Sequence, residues 1–397
     1  MAGIAALALA YVLSQFYRSF LAVLTPILTA ELGFDKAGLS AASGAYFIVF
    51  ALSQFAVGMS LDRFGPRRTA AVMMALGAGG GALIFALASA PWMVIMAMGL
   101  IGFGCAPVLM ASLFIFAKTY TPARFAVLAS WMVAFGSAGN VIGTSPLAEA
   151  AQAFGWRPVM VGLGVVTLLT AAAVAVLVRD PAPEADATGG SVFAGYRELF
   201  RLKVLWPLIP LTALNYAPAV GIRGLWAGPY LSDVYGAGVL EIGQVALFMA
   251  LSMVVGSFLY GPLDTLFGTR KWVSVAGNFI AVMALTALAL FPMAGLTQTT
   301  VLLVIVGVAG GSYGLMMAHG RAFLPPHLVG RGVTLLNFFS IGGVGVMQFV
   351  TGAVVTAGTV EGAPEAAYAS LFWFYVVTLA VSLFVYLFAR DAKPERR

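Results

Sequence analysis

The chain has 397 residues, 61% of them hydrophobic and 9% charged, with a formal net charge of +6 and a mean hydropathy of +0.98. A soluble domain of this length cannot hide that much apolar surface, so lipid is the solvent and the expected fold class is an all-α membrane protein. The single cysteine excludes an internal disulfide, no His/Cys/Asp/Glu cluster offers a metal site, and no phosphate-cradling loop or nucleophile–base pair points to a cofactor or an enzyme.

A crossing helix needs about 20 apolar residues. Twelve segments qualify, at about 4–29, 40–61, 68–89, 91–117, 123–148, 157–178, 204–230, 241–262, 272–292, 298–318, 332–356 and 367–389. The first is too long for a signal h-region, and residues 1–10 carry no cationic side chain, so it reads as a retained span. It contains Arg18. Tyr11, Ser14, Gln15, Arg18 and Thr25 recur at helical spacing and share one face. A charge at mid-membrane costs at least ~2.5–3.5 kcal/mol and faces a watery cavity or a partner.

Between the second and third segments stands Gly58-Met-Ser-Leu-Asp62-Arg63-Phe-Gly65-Pro-Arg67-Arg68. Gly58 suits close helix approach and Gly65 a tight turn. The Gly-Ala-Gly-Gly-Gly run at 77–81 reads as helix packing rather than a phosphate cradle, and Cys105 as a buried, inert thiol. In the fifth segment, Gly136, Gly139, Gly143 and Pro146 again read as small-residue packing. The longest polar stretch, 179–203, separates a six-helix half at 1–178 from another at 204–397. Its second part, Val192–Leu202, has the charge and aromatic alternation of a short interfacial helix.

The seventh segment contains Arg223, with Thr212, Asn215, Tyr216, Trp226 and Tyr230 on a similar stripe. Pro218, Gly221, Gly224, Gly228 and Pro229 loosen it, and discontinuous helices often line a transporter's binding site. Two guanidiniums suit carboxylate, phosphate or sulfonate oxygens. With Tyr17, Tyr216 and Trp226 as an aromatic wall, and Tyr11, Gln15, Tyr46 and Asn337 as further polar groups, Arg18 and Arg223 form the candidate substrate site. The acids all lie in loops or near segment ends, with Glu149 and Asp233 nearest the membrane, and His319 and His327 sit at one end of the tenth segment.

The halves repeat at an offset of 203: Pro26 matches Pro229, Gly33 Gly236, Gly58 Gly261, Gly65 Gly268, Arg67 Arg270 and Arg68 Lys271. Thr265 replaces Asp62 in the second copy, with Asp264 one place early. Placing both termini in the cytoplasm puts 17 of the 21 Lys and Arg on that side and only Lys36 and Arg157 outside. Cations sorted in this way do not indicate nucleic acid.

The 58–68 motif, the twelve segments and the half repeat together resemble the major facilitator superfamily over the whole chain. That resemblance implies two parallel six-helix bundles and alternating access around a midplane site. It also implies a conformational latch at Gly58, Asp62, Arg63, Gly65, Arg67 and Arg68. The run Tyr17-Arg18-Ser-Phe-Leu-Ala-Val-Leu-Thr-Pro26 is similar to the first helix of the organophosphate:phosphate antiporter and anion–cation symporter branches, where arginines of the first or of the first and seventh helices contact an anion. The expectation is a monomeric multi-pass protein of a plasma (bacterial inner) membrane that moves a small, organic anion by exchange or proton symport. The alternative is polyspecific proton-coupled efflux of lipophilic or drug-like compounds. A membrane sensor or assembly factor would be favoured by a large soluble appendage, which this sequence lacks. Arg18 lies eight residues before Pro26 but Arg223 six before Pro229, about 200° out of phase on ideal helices.

Overall fold

The computed structural model describes residues 2–181, 192–325 and 328–393, with Asp62, Pro122, Ala123, Ala126 and residues 192–195 described by their backbone alone. The inner part of the linker, His327 and the last four residues lie outside them. Among the described residues, nine helices are long and apolar enough to cross a bilayer, and two bent pairs raise this to 11. In chain order, α1 is the bent pair Ala2–Phe16 and Leu21–Leu32, α2 is Lys36–Phe64, α3 Pro66–Ala86 and α4 Pro91–Thr119. The second bent pair is α5, Pro122–Ile142 with Ser145–Phe154, and α6 is Trp156–Leu177. A connecting helix, Val192–Arg201, stands where the interfacial helix is expected and turns the Phe200 ring against Phe339.

The seventh expected segment is not among these 11, because it is not one helix. Here α7 is a series of short pieces: Ile209–Leu214, Ala217–Gly221, a π-helical turn Ile222–Trp226, and Ala227–Tyr235. Four uninterrupted helices follow: α8 Val239–Phe267, α9 Arg270–Leu290, α11 Val329–Ala357 and α12 Glu365–Tyr386; between α9 and α11, α10 spans Leu296–Arg321.

Two compact units result. One comprises Met1–Asp186 with Gly238–Ala246, the other Ala187–Ala237 with Leu247–Arg397. Inside each, small residues set the helix spacing, since apolar side chains gain little by leaving lipid for protein and close backbone approach must supply the attraction. A side chain at Gly136 would strike the Tyr11 ring, at Gly139 the Val12 carbonyl, and at Gly143 the Ser19 hydroxyl, so α5 lies directly on α1. Gly77 and Gly81 meet the α4 backbone at Gly104 and Ala97, which makes the glycine run of α3 a packing surface, as expected. In the other unit Gly256 of α8 faces the Val308 carbonyl of α10. Gly58 departs from its expected role: a Cβ there would meet nothing within 4 Å.

The internal repeat is visible in the backbone. Gly33 and Gly236, offset by 203, end α1 and α7 with φ of 67° and 65°, and Gly65 and Gly268 turn the next connection at 80° and 64°. An L side chain is strained in that region. Each unit also ties its sixth helix to its third. Asp180, just past α6, accepts from the Arg67 N–H at 2.8 Å at the start of α3. Asp391, just past α12, accepts from the Lys271 N–H at 3.0 Å and the Thr269 hydroxyl at 2.6 Å at the start of α9. A carboxylate suits the electropositive N-terminus of a helix. At the opposite end of the first unit, the Trp156 indole donates to Glu31 at 2.9 Å, and Arg157 donates to the carbonyls of Ala86 and Ala88 at 3.2 and 2.7 Å, closing the last turn of α3.

Candidate functional site

Arg18 sits in the break of α1. At residues 17–20 the helix tightens: Arg18 N–H reaches back to Gln15 and Ser19 N–H to Phe16, each three residues rather than four, while the Ser19 hydroxyl donates to the same Phe16 carbonyl at 3.1 Å. The axis bends by 51° there. Farther on, Pro26 cannot donate to Ala22, and the Thr25 hydroxyl takes that carbonyl at 2.8 Å. Arg18 is half-buried, with its guanidinium carbon 4.6 Å from the centre of the Phe50 ring. The Tyr46 hydroxyl, one turn earlier on α2, lies beside Arg18 and donates to the Ser14 carbonyl at 3.3 Å. Tyr46 and Phe50 stack with centroids 6.1 Å apart, so α2 presents a paired aromatic floor to the cation.

The other expected residues of this unit divide. Gln15 is one turn from Arg18 and half-buried against Gly136, and Tyr11, another turn away, packs on the same glycine. Tyr17 points elsewhere: its hydroxyl pairs with Thr167 of α6 at 2.9 Å, and its ring meets Phe16 and Phe20 edge-on. Adjacent helical residues point ~100° apart, so Tyr17 cannot line the wall expected of it beside Arg18. Phe50 was not anticipated; its i+4 spacing from Tyr46 is the signal that marks it.

Arg223 occupies the π turn of α7, the kind of helical irregularity that clusters at functional sites. Pro218 opens the helix before it and Pro229 after it, because neither donates to the carbonyl four residues back. Arg223 is buried, 1% exposed. Around its turn, Gln348 of α11 donates to the Gly221 carbonyl at 3.4 Å, and the Tyr375 hydroxyl of α12 lies where a Gly221 side chain would be. The Trp226 indole donates to Thr351 at 2.9 Å and is fully buried, which ties α7 to α11 one turn beyond Arg223.

Nearer the start of α7, polar and aromatic groups of three helices meet. Asn215 donates to the Ser312 hydroxyl at 3.3 Å, the Tyr216 and Tyr313 rings approach to 5.0 Å, and the Tyr313 hydroxyl donates to Asn337 Oδ1 at 2.7 Å. Tyr216 and Asn337 are thus brought together through Tyr313.

The acids of α1 and α7 stand apart from the arginines. Glu31 lies thirteen residues beyond Arg18 and Asp233 ten beyond Arg223, roughly 20 and 15 Å along an ideal helix. Glu31 holds Trp156, and Asp233 accepts from Tyr368 at 2.6 Å. His319 is buried as a strut, with Nδ1 2.6 Å from the Tyr386 hydroxyl and Nε2 2.9 Å from the Arg390 carbonyl. Of the latch residues, Arg63 and Arg68 are exposed and Arg67 lends its N–H to Asp180, while the Asp62 side chain lies outside the described atoms.

The sequence profile described as Major Facilitator Superfamily matches residues 7–226. The mouse protein "MFS-type transporter SLC18B1" is 25% identical over 267 residues, which cover 66% of this chain and 55% of that protein, so the match spans about half the relative's length. Among solved structures, a bacterial homologue of the human lysosomal transporter Spinster, inward-facing and unoccupied, gives a TM-score of 0.77 at 19% identity, covering 98% of this chain and 96% of that one. A D-xylose-proton symporter gives 0.77 at 12% identity, covering 98% of each chain. At these identities the structural likeness speaks for the fold.

Proposed function

The chain belongs to the Major Facilitator Superfamily and is a multi-pass secondary transporter, and from that premise we propose that its cargo is a small organic anion. The observation that carries this reading is that each half places an arginine near the middle of its first span, at the point where that helix loses its regular hydrogen bonding. A guanidinium in an apolar span costs several kcal/mol, and an entering carboxylate or phosphate repays it with charge-assisted, forked hydrogen bonds. Phe50 lies against the Arg18 guanidinium in cation–π contact on one face of the proposed anion site. Arg18, half-exposed, makes the first contact; Arg223, buried in its turn, acts on the occluded state.

The carboxylates of the spans lie at helix ends, so coupling comes from anion exchange or from a proton carried on the substrate. The two six-helix halves alternate access, with both termini in the cytoplasm of a plasma membrane.

The test is uptake into proteoliposomes of radiolabelled phosphate, succinate and benzoate, with each anion also loaded inside to reveal exchange. Arg18→Ala costs about 2–5 kcal/mol of binding, ~30-fold or more in affinity, and Arg18→Lys retains part of it. Transport of an anion that is unchanged in both variants overturns the reading.

A further inference from the structure

The second copy of the 58–68 motif departs from the first at its acid. Where Asp62 stands in the first copy, the second has Thr265, and its acid, Asp264, is one place early. Asp264 Oδ2 lies 3.2 Å from Arg270 Nε, with the two side chains 13% and 20% exposed, and Oδ1 accepts from the Thr265 hydroxyl at 2.9 Å. Arg270 Nη1 reaches the Ala318 carbonyl at 3.4 Å, which pins the guanidinium across α8, α9 and α10. This pinned pair forms one wall of an open cavity of about 910 Å³, whose other walls include Arg321 at the end of α10, Val333 of α11 and Lys393 beyond α12.

The charge in that cavity is lopsided. Among the described residues, Arg270, Arg321 and Lys393 line it against a single acid, and Asp264 is already engaged by Arg270. Arg321 and Lys393 are exposed and bring two further positive charges to the same opening. The volume falls in the range that holds an organic ligand rather than a bare ion. Guanidinium forks and an ammonium together match the oxygens of a phosphate group carrying up to two negative charges.

We infer that this cavity, built within the second unit alone, binds a phosphate-bearing ligand, separately from the arginines of α1 and α7. The phosphate belongs either to a lipid headgroup of the adjoining leaflet or to a soluble molecule. The site does not depend on the transport reading.

Full-length protein is titrated with inorganic pyrophosphate in neutral detergent at constant ionic strength, reading the melting temperature. In parallel, it is melted in nanodiscs of phosphatidylcholine with and without phosphatidylglycerol. The melting temperature of wild type shifts upward. In Arg321→Gln/Lys393→Gln the ligand-dependent shift falls away, with affinity reduced about tenfold, while Arg321→Lys retains most of it. A control pair on the connecting helix, Arg197→Gln/Arg201→Gln, removes the same charge elsewhere and keeps the response.

A response to phosphatidylglycerol alone assigns the site to lipid, and one to pyrophosphate alone to a soluble phosphate. Equal responses in wild type and the Arg321/Lys393 pair, or equal losses in both pairs, overturn the inference.

Discussion

At the residue scale, Arg18 and Phe50 act as one unit. Replacing Phe50 by Leu keeps bulk and hydrophobicity but removes the ring face, worth about 0.5–2 kcal/mol to a cation. The expected outcome is a KM raised a few-fold for the transported anion, with maximal rate and melting temperature close to wild type, measured in the same proteoliposomes. Asp391 illustrates a different economy. Burial acts to raise its pKa, but the Thr269 hydroxyl and the Lys271 N–H more than offset that, and the carboxyl is held below its ordinary value. A depressed carboxyl pKa contributes stability above the unfolded value of ~3.9 and loses it as pH falls through the folded one. Asp391→Asn therefore lowers the melting temperature at neutral pH and flattens its decline below about pH 4. Of these residues, Arg18 was plain in the sequence because charge in an apolar run stands out. Phe50 was not, since its i+4 spacing from Tyr46 is a faint mark for one phenylalanine among 29.

At the element scale, glycines report where helices touch only when a partner is present. Gly139 and Gly58 look alike in the sequence, yet Gly139 is pressed on the Val12 carbonyl and Gly58 faces open space. Gly139→Leu accordingly overpacks the α1–α5 contact and costs about 1–3 kcal/mol, read as a lower melting temperature in detergent, while Gly58→Ala leaves that temperature unchanged. The break of α7 was legible from Pro218, Gly221 and Pro229. The break of α1 was not, because Tyr17-Arg18-Ser19-Phe20 contains neither proline nor glycine and the kink rests on three-residue backbone bonds and the Ser19 side chain. The partners of the expected aromatic wall were hidden for a related reason. Helical spacing identifies a face, but Tyr17 and Trp226 found better partners in Thr167 and Thr351 on neighbouring helices.

At the scale of the whole molecule, the repeat was legible because turns tolerate few residues. The glycines at 33, 65, 236 and 268 are needed for positive φ and persist after the surrounding side chains have diverged. Divergence then let the two copies take up different work, a charged loop in one unit and a basic cavity in the other. The proposed orientation makes a further claim. A fluorescent protein fused after Arg397 matures and fluoresces, whereas alkaline phosphatase inserted in the α11–α12 connection near Val360 is active, and the reverse pattern inverts the topology.

Cys105 is 3% exposed, and its own carbonyl accepts from the Ser14 hydroxyl at 3.5 Å. A lone thiol that reagents do not reach leaves the native protein nearly silent to maleimide and methanethiosulfonate probes. Spin labels at engineered cysteines, for example at Leu87 and Phe291, both largely solvent- or lipid-facing, would then report inter-label distances by pulsed electron resonance, without first constructing a cysteine-free background.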